Sequence, residues 1–300
     1  GFFSNISPSE AENTFNDFLA SPRRLLFWHT LFMATTIWIV ARGIGKGLEA
    51  AVRWFMPLLF VLLMTLLIYG IQSGGFGQAV SFLFSFKMDS VSPETWLIAM
   101  GQAFFTLSLG MGAMMAYGSY VPDNANIATT VVIIALLDTF VAVASGLAIF
   151  PIVFANGLEP GQGPGLMFVT IPLAFGQMSF GALFGTLFFL LVSFAAITSA
   201  ISLTEPAISY LVEKYNAKRG RVAVSLGIFC WLLGVGTVLS FNHWAELTLF
   251  GMTFFDSIDY LSQNIMLPLG GLLIAIFATW KIPRSLIMNQ LRIDQRYGMF

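Results

Sequence analysis

An acidic residue stands in the middle of a long apolar stretch of the chain. Asp138 lies in VVIIALLDTFVAVASG, about a dozen residues from either end of its apolar run. A charged side chain at the centre of a bilayer costs at least roughly 2.5–3.5 kcal/mol, and no Lys or Arg lies within the apolar runs of this sequence. The partner of this carboxylate is therefore a bound cation, a proton or a group beyond this sequence. The alternative is a protonated structural Asp that hydrogen-bonds to a neighbouring helix.

Polar residues followed by glycines interrupt a second apolar run. GQAFFTLSLGMGAMMAYGSY contains Thr106 and Ser108, and then Gly110 and Gly112. Two glycines at the centre of a membrane span weaken a helix, and an unwound segment there exposes backbone groups to a substrate or an ion. The alternative is close helix packing through small residues.

A third apolar run carries a patch of small and hydroxyl-bearing residues. FAAITSAISLTEPAISY presents Ala195, Thr198 and Ser199, whose hydroxyl and carbonyl oxygens are suitable ligands for a hard cation. Hydroxyls in membrane helices usually bond back to the preceding turn, so packing alone also explains this patch. The acidic residues near span ends, Glu205 among them, are expected to form solvated, charge-rimmed helix ends.

The elements that must position these residues are transmembrane helices. Of the 300 residues, 57% are hydrophobic and only 10% are charged, whereas soluble domains have roughly 25% charged residues. A helix needs about 20 apolar residues to cross a bilayer, and the runs are continuous rather than alternating, which disfavours a β-barrel. We therefore predict an all-α membrane protein with about seven spans, at roughly 26–41, 54–72, 95–121, 127–154, 181–212, 222–241 and 246–280.

Several function classes have no support in the sequence. A net charge of -1 provides no electrostatic footprint for nucleic acid. The single cysteine, Cys230, and two isolated histidines, His29 and His243, offer no metal cluster or organic-cofactor site. Nucleophile and phosphate-binding motifs are also missing, so we do not predict an enzyme.

The basic residues predict the orientation. Eleven of the 14 Lys and Arg residues fall on one side of the predicted spans, which the positive-inside rule makes cytoplasmic. Residues 1–25 are then an extracytoplasmic loop, 26–280 the transmembrane domain and 281–300 a cytoplasmic segment. A chain that starts outside without a signal implies an odd number of missing upstream spans. The connection at about 155–180 is either a plain loop or a lid over an outer vestibule.

Four segments, taken together, resemble a known family. FFTLSLGMGAMMAYGSYV (104–121), ARGIGKGLEAAVRWFMPLLF (41–60), GPGLMFVTIPLAF (163–175) and FAAITSAISLTEP (194–206) are similar to the bacterial branch of the neurotransmitter:sodium symporters, which have the LeuT fold. The resemblance implies a partial inverted-repeat fold that holds the fourth to tenth helices, with a broken helix at about 95–121. The first three helices of the family would be missing N-terminal partners of this chain.

The resemblance also implies the site residues and two Na⁺ sites. The substrate pocket would include Phe105, Thr106, Ser108 and Met111 from the broken helix, with Ser199 and Leu203 facing it. Thr106 and Asp138 match sodium site 1; the Ala195 carbonyl, Thr198 and Ser199 match sodium site 2. Asp259 resembles the outer gate, and Glu213 with Tyr120 the inner gate.

The implied function is sodium-coupled symport of an amino acid across a bacterial plasma membrane by alternating access. Chloride-dependent relatives have Asn at the position of Asp138 and Ser at that of Ala142, so we expect chloride-independent transport. Met111 replaces a common aromatic, and its flexible thioether favours hydrophobic or aromatic substrates.

Three alternatives stay open. One is a proton-coupled amino-acid transporter in which Asp138 or Glu205 titrates. The others are a non-transporting seven-helix receptor or sensor, and a binding-only homologue that has lost transport.

Overall fold

The structure is a computed structural model that describes residues 7–43, 46–85, 91–118, 126–155, 157, 160, 163–176 and 180–291. These residues are predominantly helical. Among them, Leu249 and Met252 form an isolated antiparallel β-bridge. The helices are α1 (Pro8–Leu19), α2 (Pro22–Arg42), α3 (Lys46–Gln72), α4 (Phe76–Phe84), α5 (Pro93–Thr106), α6 (Ala113–Gly118), α7 (Ile127–Ala155), α8 (Gly163–Gly176), α9 (Gly181–Tyr215), α10 (Arg219–Leu239), α11 (Phe254–Trp280) and α12 (Arg284–Leu291).

Six of the described helices are long and apolar enough to cross a membrane, namely α2, α7, α9, α10, α11 and the part of α3 from Arg53 to Gln72. The predicted third span, 95–121, is instead divided into α5 and α6, as expected for a broken helix. The predicted start of the seventh span at residue 246 is wrong, because α11 begins at Phe254 after a tight turn at Phe250 and Gly251.

The N-terminal part of the chain contains a short helix that the hydropathy pattern does not predict. Helix α1 lies within the predicted N-terminal loop and begins with a capping box, in which Ser7 and Glu10 satisfy each other's backbone N–H groups. The backbone and hydroxyl hydrogen bonds from Ser7 hold the pKa of the Glu10 carboxyl below its ordinary value. Pro8 occupies the first helical turn, where its missing N–H is not needed.

The described chain divides into two compact units, residues 1–86 with 142–255 and residues 87–141 with 256–300. In the first unit, α2 packs along α10: the Trp231 indole donates to Thr30 Oγ1 at 3.0 Å, and His29 Nε2 lies 3.1 Å from the Trp231 carbonyl. A hydrophobic core joins α3, the second half of α7, α8 and α9 through Leu66, Ala148 and their neighbours.

The predicted lid segment is helical and packs on the first unit. In α8 the run Ile171–Phe175 is buried, and Phe168 stacks between Phe15 of α1 and Phe189 of α9, with ring centroids 5.8 and 6.2 Å away. The segment between residues 163 and 176 is therefore an ordered part of the bundle surface rather than a plain loop.

Candidate functional site

The helix break predicted from the glycines is present in the second unit. Helix α5 ends at Thr106 and α6 begins at Ala113. Between them Ser108, Gly110 and Gly112 all have positive φ, at 55°, 79° and 83°. The N–H groups of Leu107, Ser108 and Leu109 still bond to carbonyls of α5. Because a right-handed helix cannot continue through residues of positive φ, the backbone after Leu109 leaves the helical pattern, as in the unwound segments that face ligands in transporters.

Close backbone packing holds the unwound segment against α11. A Cβ atom on Gly110 would overlap the Leu267 carbonyl oxygen and would lie 3.0 Å from the Gly271 nitrogen, while a Cβ on Gly270 would overlap the Gly110 carbonyl. Glycine at 110 is thus required twice, by its positive φ and by this contact. The α11 backbone fixes the position of the break.

The side chains predicted to line the substrate pocket flank this break. Phe105 is 47% exposed although it lies in an apolar span. Thr106 is also exposed, and Ser108 and Met111 are half-buried. Among the residues that the structure describes, the Thr106 hydroxyl makes one long hydrogen bond, 3.4 Å, to the Ala103 carbonyl, so its oxygen can accept a further partner.

A cavity of about 240 Å³ lies against the same segment. Of the four predicted pocket residues in the broken helix, only Ser108 lines it, together with Gly110, Met115 and Ile274. Phe105, Thr106 and Met111 do not line it. This cavity therefore borders the break on the side of α11 and is distinct from the predicted substrate wall.

Asp138 is half-buried in α7, eleven residues after the helix begins. Within the described ranges its carboxylate makes no hydrogen bond or ion pair, and neither Thr106 nor any basic side chain contacts it in this way. All four of its carboxylate lone-pair positions are thus open to a cation or a proton. The structure does not join Thr106 and Asp138 directly.

The residues predicted for sodium site 2 lie on α9 in the first unit. The Thr198 hydroxyl is 2.9 Å from the Ala195 carbonyl oxygen, so two of the three predicted ligands adjoin each other. Ser199 is exposed, and the neighbouring pocket residue Leu203 is 46% exposed. The Thr198 contact is also the ordinary bond of a helical threonine to its preceding turn, so the ligand role stays a prediction.

Two of the three predicted gate residues, Asp259 and Glu213, lie in the described part of the chain, near the start of α11 and in the last turn of α9. Asp259, exposed in α11, accepts a hydrogen bond from the Gln263 amide one turn later. Glu213 is exposed in the last turn of α9, and its neighbour Lys214 donates to the Tyr210 hydroxyl at 2.6 Å. Tyr120 lies outside the described residues.

The expectation that Glu205 is a solvated helix end is wrong. Glu205 is only 7% exposed, and Arg219 donates to both of its carboxylate oxygens, at 2.9 and 2.5 Å. Ser209 donates to Oε1 at 3.1 Å, and the Arg219 Nε donates to the Val40 carbonyl at 2.9 Å. The cation comes from the first residue of α10, which hydropathy assigned to a loop. The two residues are fourteen positions apart and lie on different helices, so the periodicity of a single helix could not predict the pair.

Comparisons with known proteins agree with the helical membrane fold described above. Residues 21–293 match the profile described as the sodium:neurotransmitter symporter family. The chain is 36% identical over 298 residues to the uncharacterized sodium-dependent transporter YhdH of Bacillus subtilis, covering 99% of this chain and 66% of that protein. It is also 28% identical over 255 residues to the sodium- and chloride-dependent taurine transporter of Rattus norvegicus, covering 80% of this chain and 39% of that protein.

A solved structure shares the fold. The crystal structure of MhsT in complex with L-phenylalanine superposes with a TM-score of 0.89 at 42% sequence identity, covering 95% of this chain and 65% of that one. Together with the helices described above, this match confirms an all-α membrane fold of the LeuT type. The chain spans just under two thirds of the length of YhdH and MhsT.

Proposed function

The chain belongs to the sodium:neurotransmitter symporter family, and on that premise we propose that the protein is a sodium-coupled symporter of amino acids. The observation that supports this most is the break between Thr106 and Ala113, where three residues of positive φ open the backbone of an apolar helix. Unwound backbone in a membrane is tolerated only where it faces protein or a water-filled cavity, and there it can bind a polar zwitterion.

Sodium and the amino-acid substrate are proposed to bind next to each other at this break. Asp138 supplies a carboxylate without a protein partner among the described residues, and Thr106 supplies a hydroxyl oxygen that makes only one long hydrogen bond. Sodium held by these oxygens would neutralise Asp138 and attract the substrate carboxylate. Ion and amino acid then stabilise each other's binding, and the coupling must be equal in both directions.

The second sodium site is proposed on α9. The Ala195 carbonyl and the Thr198 hydroxyl already adjoin each other, and the hydroxyl of Ser199 lies one residue further along the same helix. Hard cations prefer such neutral and carboxylate oxygens. The gates are proposed to be Asp259 on one side, and Glu213 with Tyr120 on the other, and they close in alternation.

A hydrophobic or aromatic amino acid is the proposed substrate. Met111 lies half-buried in the unwound segment between Gly110 and Gly112, and an unbranched thioether can move aside for a large side chain. The related MhsT was solved in complex with L-phenylalanine, which is an amino acid of this class. L-Phenylalanine, L-tryptophan and L-leucine are therefore the first compounds to test.

Chloride-independent coupling is also proposed. A negative charge beside sodium is favourable in a low-dielectric site. The Asp138 carboxylate would provide this charge in place of a bound chloride ion. The similar bacterial protein YhdH is named as sodium-dependent, whereas the mammalian taurine and GABA transporters are named as sodium- and chloride-dependent. The proposed location is a bacterial plasma membrane, with residues 1–25 outside and 281–300 in the cytoplasm.

Uptake by the reconstituted full-length protein tests the proposal. We expect labelled L-phenylalanine to accumulate in proteoliposomes when an inward sodium gradient is applied, equally in chloride and in gluconate. Uptake that follows a pH gradient without sodium would replace the proposal with proton coupling. Sodium-dependent binding without any uptake would instead indicate a receptor, a sensor or a binding-only homologue.

A further inference from the structure

The connection between α10 and α11 ends in an apolar hairpin tip. Leu249 and Met252 pair through two backbone hydrogen bonds of 2.8 and 3.0 Å. The two residues between them, Phe250 and Gly251, have φ of 52° and 80°, as in a two-residue type I′ turn. Phe250 therefore points away from the hairpin and is 91% exposed, the largest exposure among the described large hydrophobic residues.

Neither the residue type nor the backbone at this tip suits a water-facing loop. Turns of this kind favour Asn, Asp or Gly at both central positions, whereas here a phenylalanine adopts the left-handed conformation that its Cβ disfavours. Leu247 and Leu249 beside it are 63% and 60% exposed. Three large apolar side chains thus project from one short loop that contains no Lys or Arg between residues 242 and 253.

The loop is held at the end of a membrane span. The Phe254 ring lies against Gly236, where an added Cβ would be 2.6 Å from its Cε1 atom. Gly236 is three residues, about 4.5 Å, before the end of α10 at Leu239. Trp244 donates its backbone N–H to the Leu239 carbonyl at 2.8 Å and packs edge-on against Phe254, with centroids 6.3 Å apart.

These contacts limit how far the tip can stand from the bilayer. Phe254 follows Phe250 by four positions and extended chain rises about 3.3 Å per residue, so the Phe250 Cα lies within about 13 Å of the Cα of Phe254, whose ring packs at the last turn of α10. The headgroup region adds about 5–7.5 Å on each side of about 30 Å of hydrocarbon, so the tip reaches this region when the hairpin leans along the membrane rather than standing upright. Aromatic side chains are favoured in this interfacial region.

We propose that Leu247, Leu249 and Phe250 form a lipid-binding tip that inserts into the bilayer interface beside α10 and anchors the loop between α10 and α11. This is a contact with the membrane separate from the spans themselves, and the energy of burying the tip compensates the unfavourable backbone of Phe250. The occupant of the exposed surface is lipid, because α11 begins four residues after Phe250, at Phe254, and Trp244 holds the longer arm against the end of α10.

Spin-label accessibility in proteoliposomes tests this proposal. A nitroxide is attached at Phe250→Cys in the full-length protein, with Cys230→Ser and any other native cysteine replaced. The matched control is Glu246→Cys, an exposed charged position in the same loop. Collision rates are measured with oxygen, which concentrates in lipid, and with a water-soluble nickel chelate. Retained L-phenylalanine binding or a normal thermal unfolding curve confirms that each labelled variant is folded.

We expect the label at 250 to collide severalfold more with oxygen relative to the nickel chelate than the label at 246. Equal ratios at the two positions would place the tip in water and overturn the proposal. Low collision rates with both reagents at 250 would show that another part of the protein covers the tip, and this result would overturn the proposal as well. Neither outcome bears on sodium-coupled transport.

Discussion

Arg219, the first residue of α10, and Glu205 of α9 form a two-point ion pair in the first unit. Arg219 Nη1 lies 2.9 Å from Glu205 Oε1, and Nη2 lies 2.5 Å from Oε2. The remaining Nε donor of Arg219 reaches the Val40 carbonyl at 2.9 Å. The Arg219 side chain therefore links α10 to α9 and to the last turn of α2. It also supplies hydrogen bonds to the carboxylate of Glu205, a residue that is 7% exposed.

Arg219→Met should destabilise the protein strongly. Removing one partner of a buried pair leaves the other charge unpaired, which typically costs about 3–5 kcal/mol. Thermal unfolding of the purified full-length protein measures the effect. Arg221→Met is the matched control, because Arg221 is exposed two residues along the same helix. Equal unfolding temperatures for the two variants would contradict a structural role for the ion pair.

The pair also bears on proton coupling. Both carboxylate oxygens of Glu205 accept hydrogen bonds from Arg219, so the geometry gives Glu205 a structural role rather than a role in ion coupling. We expect Glu205→Gln to lower stability while the ion that drives uptake stays the same. Loss of pH-gradient-driven uptake in this variant, with its sodium response unchanged, would contradict that expectation.

Gly110→Ala should weaken both folding and substrate binding. Alanine at a left-handed position costs about 1–2 kcal/mol, and its Cβ would also overlap the Leu267 carbonyl. The unwound segment must then shift away from α11. Gly118→Ala is the control, since an added Cβ there meets nothing within 4 Å. Thermal unfolding and L-phenylalanine affinity are measured together; a stable Gly110→Ala variant with unchanged affinity would refute this account of the break.

The helix break and the spans were predictable from local sequence, whereas the ion pair and the hairpin tip were not. Gly110 and Gly112 interrupt an apolar run, and backbone conformation follows directly from residue type there. Glu205 and Arg219 come together only through the packing of α9 on α10, a tertiary contact without periodicity. Phe250 occupies a turn position that sequence preferences assign to Gly or Asn. Thr106 and Asp138 were paired by resemblance, and their shared ion remains a prediction.

Thr198→Val should weaken sodium binding without unfolding the helix. Valine keeps the shape of threonine but removes the oxygen proposed as a sodium ligand. We expect the sodium concentration for half-maximal uptake to rise about tenfold, equivalent to about 1.4 kcal/mol. Thr204→Val is the control, because that hydroxyl donates only to the Ala200 and Ile201 carbonyls of its own helix. A similar sodium dependence in both variants would remove Thr198 from the proposed site.

Met111→Phe should narrow the range of substrates. A rigid ring in the unwound segment leaves less room for a bulky side chain, and pocket changes of this size alter discrimination by about tenfold or more. We expect competition by L-tryptophan to fall relative to competition by L-leucine. Met100→Phe, at an exposed position of α5, provides the comparison. If the order of competitors stayed the same in the Met111 variant, this residue would not contact the substrate.

Asp138→Ala should remove sodium-dependent binding and leave the protein folded. Within the described residues its carboxylate has no hydrogen-bond or ion-pair partner to lose, so stability should change little. Calorimetry of L-phenylalanine binding and thermal unfolding without sodium separate the two effects. A large drop in stability without a change in sodium dependence would identify Asp138 as a structural residue.

The most direct measurement is the affinity of the full-length protein for L-phenylalanine in sodium and in potassium, by calorimetry in chloride-free buffer. If sodium at Asp138 and Thr106 contacts the bound amino acid, the dissociation constant falls as sodium rises, and saturating sodium gives tight binding with gluconate as the anion. Equal affinity in sodium and in potassium would contradict the proposed shared site and, with it, sodium-coupled symport.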